Sequence, residues 1–184
     1  NLESRLQEIK MMIDAGEYFT IHKARQYGKT TILHALADFL KEDYVVISLD
    51  FQKMSSSDFF DESAFVNGMA REISKVIRRM EQVIPHEVKI QLNNLADKQD
   101  GCSKLAEIFD YFSMWCEESC KPIVLMIDEV DTAANNQVFL DFLAQLRAYY
   151  LERDIIPTFQ SVILAGVYDI RNIRRKLRTE KDHK

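Results

Sequence analysis

Hydrophobic positions change their period several times along this chain, and each change marks an element. Leu2, Leu6, Ile9, Met12 and Ile13 recur at helical spacing over 2–15, and Ala15-Gly16 closes that helix. Tyr18–His22 reads as a strand. From 30 to 41, Leu33, Leu36, Ala37 and Leu40 share one face of a second helix. A second strand covers 44–49 and ends at Asp50-Phe51. A long helix over 61–83 turns Phe65, Met69, Ile73, Val76 and Ile77 inward, with Pro85 as its stop. A short helix over 87–95 and a turn-rich link around Asp100-Gly101 follow. Ser103 is the expected N-cap of a helix over 104–120. The unbroken apolar run from Pro122 to Ile127 reads as a strand buried on both faces. After Asn135-Asn136, a helix to about 151 lines up Val138, Phe139, Phe142, Leu143, Leu146 and Tyr150. A strand over 159–165 ends at Gly166, and 168–178 is a final helix.

Strand and helix alternate throughout, which is the pattern of an α/β fold: a doubly wound, mainly parallel sheet with helices on both faces. No repeat, low-complexity stretch or linker divides the chain, so 1–184 reads as a single domain. Ligands of such sheets bind at the carboxyl ends of the strands. The polar stretch 52–57, with three serines in a row, reads as a mobile loop on that edge, one that moves with ligand state.

Candidate chemistry falls on the same edge. The first strand runs into His22-Lys23-Ala24-Arg25-Gln26-Tyr27-Gly28-Lys29-Thr30-Thr31 and then a helix, the layout of a phosphate-binding loop. Backbone N–H groups at a helix start attract an anion, and Gly28 allows close approach. In that reading the loop Ala24–Thr31 cradles phosphates, Lys29 reaches the β- and γ-phosphates of ATP, and the Thr30 hydroxyl holds Mg²⁺. The pattern G-x-x-x-x-G-K-[ST] is incomplete, because Lys23 stands where its first glycine belongs. A polar turn between strand and helix is the alternative for this stretch alone.

The buried run ending in Asp128-Glu129 strengthens the phosphate reading. Acids at the end of a buried strand are costly unless they have partners or work. Asp128 would bind the Mg²⁺ shell and Glu129 would act as general base on the attacking water. Otherwise the pair starts a loop and caps the next helix.

Taken together, "ARQYGKTT", "VLMIDEVD" and "SVILAGVYDI" resemble the bacterial AAA-like ATPases, relatives of the signalling and origin-recognition-type P-loop NTPases. The resemblance covers about 2–178. It implies a P-loop NTPase three-layer sandwich with an added strand between the P-loop strand and the acidic strand. It also implies Walker A roles for Lys29 and Thr30, Walker B roles for Asp128 and Glu129, and ATP hydrolysis to ADP and phosphate. The family's core has a fifth strand, expected past Lys184, so the chain is expected to stop inside or just after its ATPase core. A polar γ-phosphate sensor belongs near the end of the last strand, where Gly166 stands instead. Ser161, Tyr168 and Asp169 flank that strand, and the sensor stays unassigned. Arg147, Arg171 and Arg174 are arginine-finger candidates or surface residues. Asp131 is either a loop residue at a helix start or a nucleotide contact.

Bulk properties narrow the rest. The chain has 184 residues, 47% hydrophobic and 29% charged, an ordinary globular composition. No apolar run approaches a membrane span, and no signal peptide opens the chain. It begins at Asn1 rather than Met and reads as a fragment. Three cysteines, Cys102, Cys116 and Cys120, read as buried or half-buried thiols in a reducing, cytoplasmic setting. Neither they nor the four scattered histidines form a metal pattern. A net charge of −5 argues against nucleic-acid binding over the whole surface. Residues 169–184 nevertheless carry seven basic and three acidic side chains. This tail is a solvated helix face, a nucleic-acid surface or a phosphate contact.

Three functions compete. One is an ATPase whose nucleotide state controls a protein partner or a fused effector domain. Another is a degenerate nucleotide-binding or structural module without turnover. The third is a DNA-associated ATPase of the origin-recognition type.

Overall fold

The computed structural model describes residues 1–22 and 29–166, and for 29–31 the backbone alone. Helix α1 (Leu2–Asp14) leads into strand β1 (Tyr18–His22) and then helix α2 (Lys29–Leu40). Strand β2 (Val45–Asp50) is followed by helices α3 (Glu62–Arg79), α4 (His86–Asp97) and α5 (Leu105–Glu118). Strand β3 (Ile123–Asp128), one-turn helix α6 (Val130–Ala133), helix α7 (Gln137–Leu151) and strand β4 (Ser161–Gly166) complete the described fold. The four strands form one all-parallel sheet in the order β1-β4-β3-β2. The strand between the P-loop strand and the acidic strand is therefore β4, as the family resemblance implies.

Alternation along each strand sorts side chains into two layers. Ile123, Leu125 and Ile127 of β3 join Val162 and Leu164 of β4 in the larger core, with the inner faces of α3, α5 and α7. Val124 and Met126 join Ile163 and Ala165 in the smaller core, under α1 and α2. Every residue of β3 and β4 is buried, which is why both read as unbroken apolar runs. Edge strand β2 alternates buried and half-buried, because its second face is only partly covered.

Several boundaries depart from the sequence reading. Helix α3 ends at Arg79, where Met80 turns extended, and Pro85 instead precedes α4. Proline is tolerated at a helix start, where its missing N–H has no intrahelical partner to serve. Ser103 does not cap α5. It is buried at 1% exposure, its N–H donates to Ser63 Oγ, and its own Oγ accepts from Asn67 Nδ2 at 2.9 Å. Lys104 takes the cap position, and Glu107 accepts its N–H. The stretch 52–57 is not a loose loop. It is built of two 3-10 turns, Phe51–Lys53 and Ser56–Phe59, joined by Met54 and Ser55. Asp50 caps the first, and Asp58 accepts from Ser55 N–H and pairs with Arg71 at 3.0 Å. Of the cysteines, Cys102 and Cys120 are exposed rather than buried. Only Cys116 is half-buried, and burial pushes its thiol up to about 12. The expected helix over 168–178 and the basic tail lie outside the described residues. Within those residues no helix is long and apolar enough to cross a membrane.

Candidate functional site

Parallel strands place their carboxyl ends on one edge, so His22, Gly166, Asp128 and Asp50 come together there. Register confirms the alignment: His22 pairs with Gly166, and Asp50 pairs with Asp128. Helix α2 begins at Lys29, just after β1 leaves this edge. Loop residues Ala24, Arg25, Gln26, Tyr27 and Gly28 lie outside the described residues, as do the side chains of Lys29, Thr30 and Thr31.

The acidic end of β3 is well defined. Asp128 is 9% exposed, and its Oδ1 accepts the N–H of Glu129 at 2.8 Å. Glu129 then adopts a left-handed conformation, φ 56° and ψ 37°, alone among described non-glycine residues in having a positive φ. That bend stops the strand at once and starts α6, whose Thr132 hydroxyl donates to Glu129 Oε2 at 3.4 Å. The bend separates the two acids: Asp128 finishes the strand, while Glu129 opens the helix. Strained backbone of this kind concentrates at functional sites.

Two further residues complete this corner. Asp131, in the single turn of α6, has its Oδ1 buried without a hydrogen-bond partner among the described residues. Gly166, at the tip of β4, lies against it. A Cβ on Gly166 would come within 2.8 Å of Asp131 Oδ1 and 3.0 Å of Val130 Cγ2. Sequence reading left Asp131 between a loop residue and a ligand contact. The signal that could have singled it out is the third acid in Asp-Glu-Val-Asp combined with a glycine at the end of the last strand.

Beside Asp128, a cleft of about 650 Å³ opens between α2, β2 and α3. Leu33, Val46 and Val76 line its apolar part, and Lys53 and Arg79 lie on its rim. The acids of this edge, Asp50, Asp128 and Glu129, offer carboxylate oxygens, the kind of donor that suits a hard cation such as Mg²⁺. Asp128 fits that role best. It is nearly buried, and the neighbouring N–H at its Oδ1 leaves lone pairs for a ligand. Among the described residues no group of three or more His, Cys, Asp or Glu forms a self-sufficient metal cage.

Other candidates sit elsewhere. Arg147 lies over the rings of Tyr18 at 5.0 Å and Tyr150 at 5.6 Å. Tyr18 begins β1, so Arg147 is at the amino edge, opposite the acids, and cannot act as a finger within its own chain. Ser161 also sits at that far edge, where its hydroxyl donates to the Glu17 carbonyl. Tyr168, Asp169, Arg171 and Arg174 lie outside the described residues.

Comparison with known proteins agrees with this architecture. A family profile described as an AAA-like domain matches residues 2–170. A Walker-type ATPase of Pyrococcus abyssi shares the fold over 91% of this chain and 45% of its own, with a TM-score of 0.57 and 17% identity. Drosophila ORC bound to AT-rich DNA and Cdc6 aligns over 94% of this chain and 48% of that one, with 11% identity and a TM-score of 0.47. This chain thus spans less than half the length of either. No curated protein matches it.

Proposed function

We propose, for a chain that belongs to the AAA-like domain family, that it binds ATP at the carboxyl edge of its sheet and hydrolyses it to switch a partner or an attached domain. One observation supports the reading: β1, the strand before Gly28-Lys29-Thr30 in the sequence, and β3, which ends at Asp128, finish on the same edge of the sheet with β4 between them. In this reading the loop from Ala24 to Thr31 wraps the phosphates, with Lys29 as their charge partner. Thr30 and Asp128 would hold Mg²⁺, which neutralises charge on the transferring phosphate. Glu129, set apart from Asp128 by the left-handed bend, takes a proton from the attacking water. A second reading, nucleotide binding without turnover, draws on Lys23 in place of the first loop glycine.

The test is a titration of Mg-ATP against wild type and Lys29→Ala, read as thermal midpoint. Ligand at about 100 times its dissociation constant adds about 2.7 kcal/mol of stability. The expected result is a shift in wild type that Lys29→Ala loses. An unmoved wild type would refute nucleotide binding. Phosphate release by wild type but not by Glu129→Gln separates the ATPase from the module without turnover.

A further inference from the structure

Strand β2 lies at one side of the sheet, paired with β3 on one edge and with no described strand on the other. The register fixes which of its backbone groups face outward. Val45 N–H donates to the Pro122 carbonyl at 2.9 Å, so Val45, Ile47 and Leu49 turn both backbone groups toward β3. Those of Val46 and Ser48 point away from the sheet. Below them, the outward carbonyl of Tyr44 is already taken, by Gln82 Nε2 at 2.7 Å. Above them, Asp50 leads straight into the first 3-10 turn. The N–H and C=O of Val46 and Ser48 have no partner among the described residues.

Both residues are half-buried and line the cleft of about 650 Å³. Leu33 and Ala37 of α2 stand on one side of it, Val76 and Met80 of α3 on the other. An open strand edge is a template for another strand, and proteins block such edges with proline, bulges or charge. Strand β2 has no proline, and its six residues pair one for one with β3, without a bulge. Charge stands instead at the two ends of the cleft. Arg79 closes α3, three residues before the glutamine that holds Tyr44, and so lies toward the start of β2. Lys53 follows its end. Both are exposed, and neither has an ion-pair partner among the described residues. The other charges of the cleft are committed: Lys75 to Glu72 at 3.2 Å, Asp50 to Gln52 N–H and Asp128 to Glu129 N–H.

We infer that the free edge of β2 docks an extended segment of a partner protein, apolar at alternate positions and acidic at both ends. Added beside β2, the segment hydrogen-bonds to Val46 and Ser48 and lays its apolar side chains in the cleft between α2 and α3. Its end carboxylates meet Lys53 and Arg79. A strand of six residues spans about 20 Å, so the two acids stand about six residues apart. The unpaired backbone groups select an extended chain, and the two unpaired cations select its acids. The same cations argue against a second copy of this chain as the occupant. Antiparallel pairing of two β2 edges brings Lys53 of each toward Arg79 of the other, and parallel pairing sets like beside like, so cation faces cation either way. Nothing in this contact requires bound nucleotide.

The probe is the peptide acetyl-Glu-Val-Thr-Val-Thr-Val-Glu-amide, titrated without nucleotide into isotope-labelled protein and followed by NMR. A second peptide carries Lys in place of both Glu. The expected result is movement of the Val46 and Ser48 amide signals, with the acid-ended peptide binding about 10-fold more tightly than the lysine-ended one, the scale of two exposed ion pairs. In the double variant Lys53→Glu, Arg79→Glu that preference should reverse. Ser48→Pro removes one outward N–H at an edge position that tolerates proline, and should weaken binding by about 10-fold or more while the protein stays folded. Should Ser48→Pro fail to fold, the acid-ended peptide with alternate amides N-methylated removes the ladder from the other side, and its binding should be lost. Equal affinity for both peptides, signals that move away from β2, an N-methylated peptide that binds as well as its parent, or no binding at millimolar peptide would each overturn the inference. So would a dimer formed through β2 that the peptide does not displace, since the edge would then belong to a second copy. None of these outcomes depends on whether the chain binds or hydrolyses ATP.

Discussion

Glu129 offers a test in which an ordinary rule should change sign. At a helical position Ala is more stable than Gly by about 1 kcal/mol. Glu129 sits at φ 56° and ψ 37°, where a Cβ crowds the backbone. The left-handed conformation costs a non-glycine residue about 1–2 kcal/mol. Glu129→Ala keeps that strain and loses the contact of Glu129 Oε2 with the Thr132 hydroxyl, a long one at 3.4 Å. Glu129→Gly relieves the strain, but its looser unfolded chain takes back about 0.5–1 kcal/mol. Glycine should therefore exceed alanine by about 0.5–1 kcal/mol. For a domain of this size that is roughly 1–4 °C in thermal midpoint. Circular dichroism melts of the two variants without nucleotide give the difference directly. Alanine equal to or above glycine would refute the claim that the chain holds its acid in a strained bend. Glu129→Gln adds the functional half: it keeps strain and fold, and should lose turnover.

Other features yield further expectations. Phe142 is fully buried among Phe51, Phe65, Phe109 and Phe139, so Phe142→Ala should cost about 3–5 kcal/mol in urea melts. Burial and then its hydrogen bond to Asp14 push the Tyr44 hydroxyl up to about 12 from 10.0, so its stabilisation is complete below pH 10 and lost as pH rises towards 12. The same bond, with Lys10, holds Asp14 below its ordinary 3.8, so that contribution is present above this pH and fades in acid. Tyr44→Phe should flatten part of both limbs of the stability–pH curve, and an unchanged curve would contradict the pairing. Exposed Cys102 and Cys120 should take up a thiol reagent at neutral pH, while Cys116, pushed up to about 12, should wait for unfolding, as mass spectrometry would show. Hydrogen exchange across 52–61 should fall on adding an ATP analogue, and identical protection would uncouple these turns from the nucleotide site.

The parts of the fold that were legible are those whose signal is periodic burial. Strands β3 and β4 are buried on both faces and stand out as apolar runs, and α1 and α7 carry a clear inward stripe. The two acids at the end of β3 were legible because charge after an apolar run is expensive. Less visible were features decided by contacts distant in sequence. Ser103 looks like a cap until Asn67 and Ser63, 36 and 40 residues away, claim its polar groups. Three serines suggest a loose loop until Asp58 and Arg71 pin the turns. Gly166 and Asp131 are 35 positions apart, so nothing local reveals that one makes room for the other.

What distinguishes the acidic corner from the rest of the molecule is its energetic character. Apolar burial holds the sheet together, and most of the residues that supply it satisfy the local rules, although the Tyr111 hydroxyl and Trp115 Nε1 are buried without a partner among the described residues. Within residues 128–131 the rules fail three times. A nearly buried carboxylate ends a strand at Asp128, a side chain sits in left-handed backbone at Glu129, and a buried oxygen at Asp131 has no donor among the described residues. The left-handed backbone alone costs a non-glycine residue about 1–2 kcal/mol. Such departures gathered within four residues, at the edge where parallel sheets take their ligands, are the pattern of a working site. A module that only held nucleotide would be served by the loop and Lys29 and would have no use for a general base, so Glu129→Gln separates the two readings. Phosphate release by wild type that Glu129→Gln loses is the result expected of turnover, and binding of Mg-ATP without release is the result expected of a passive module with Lys23 in place of the first loop glycine.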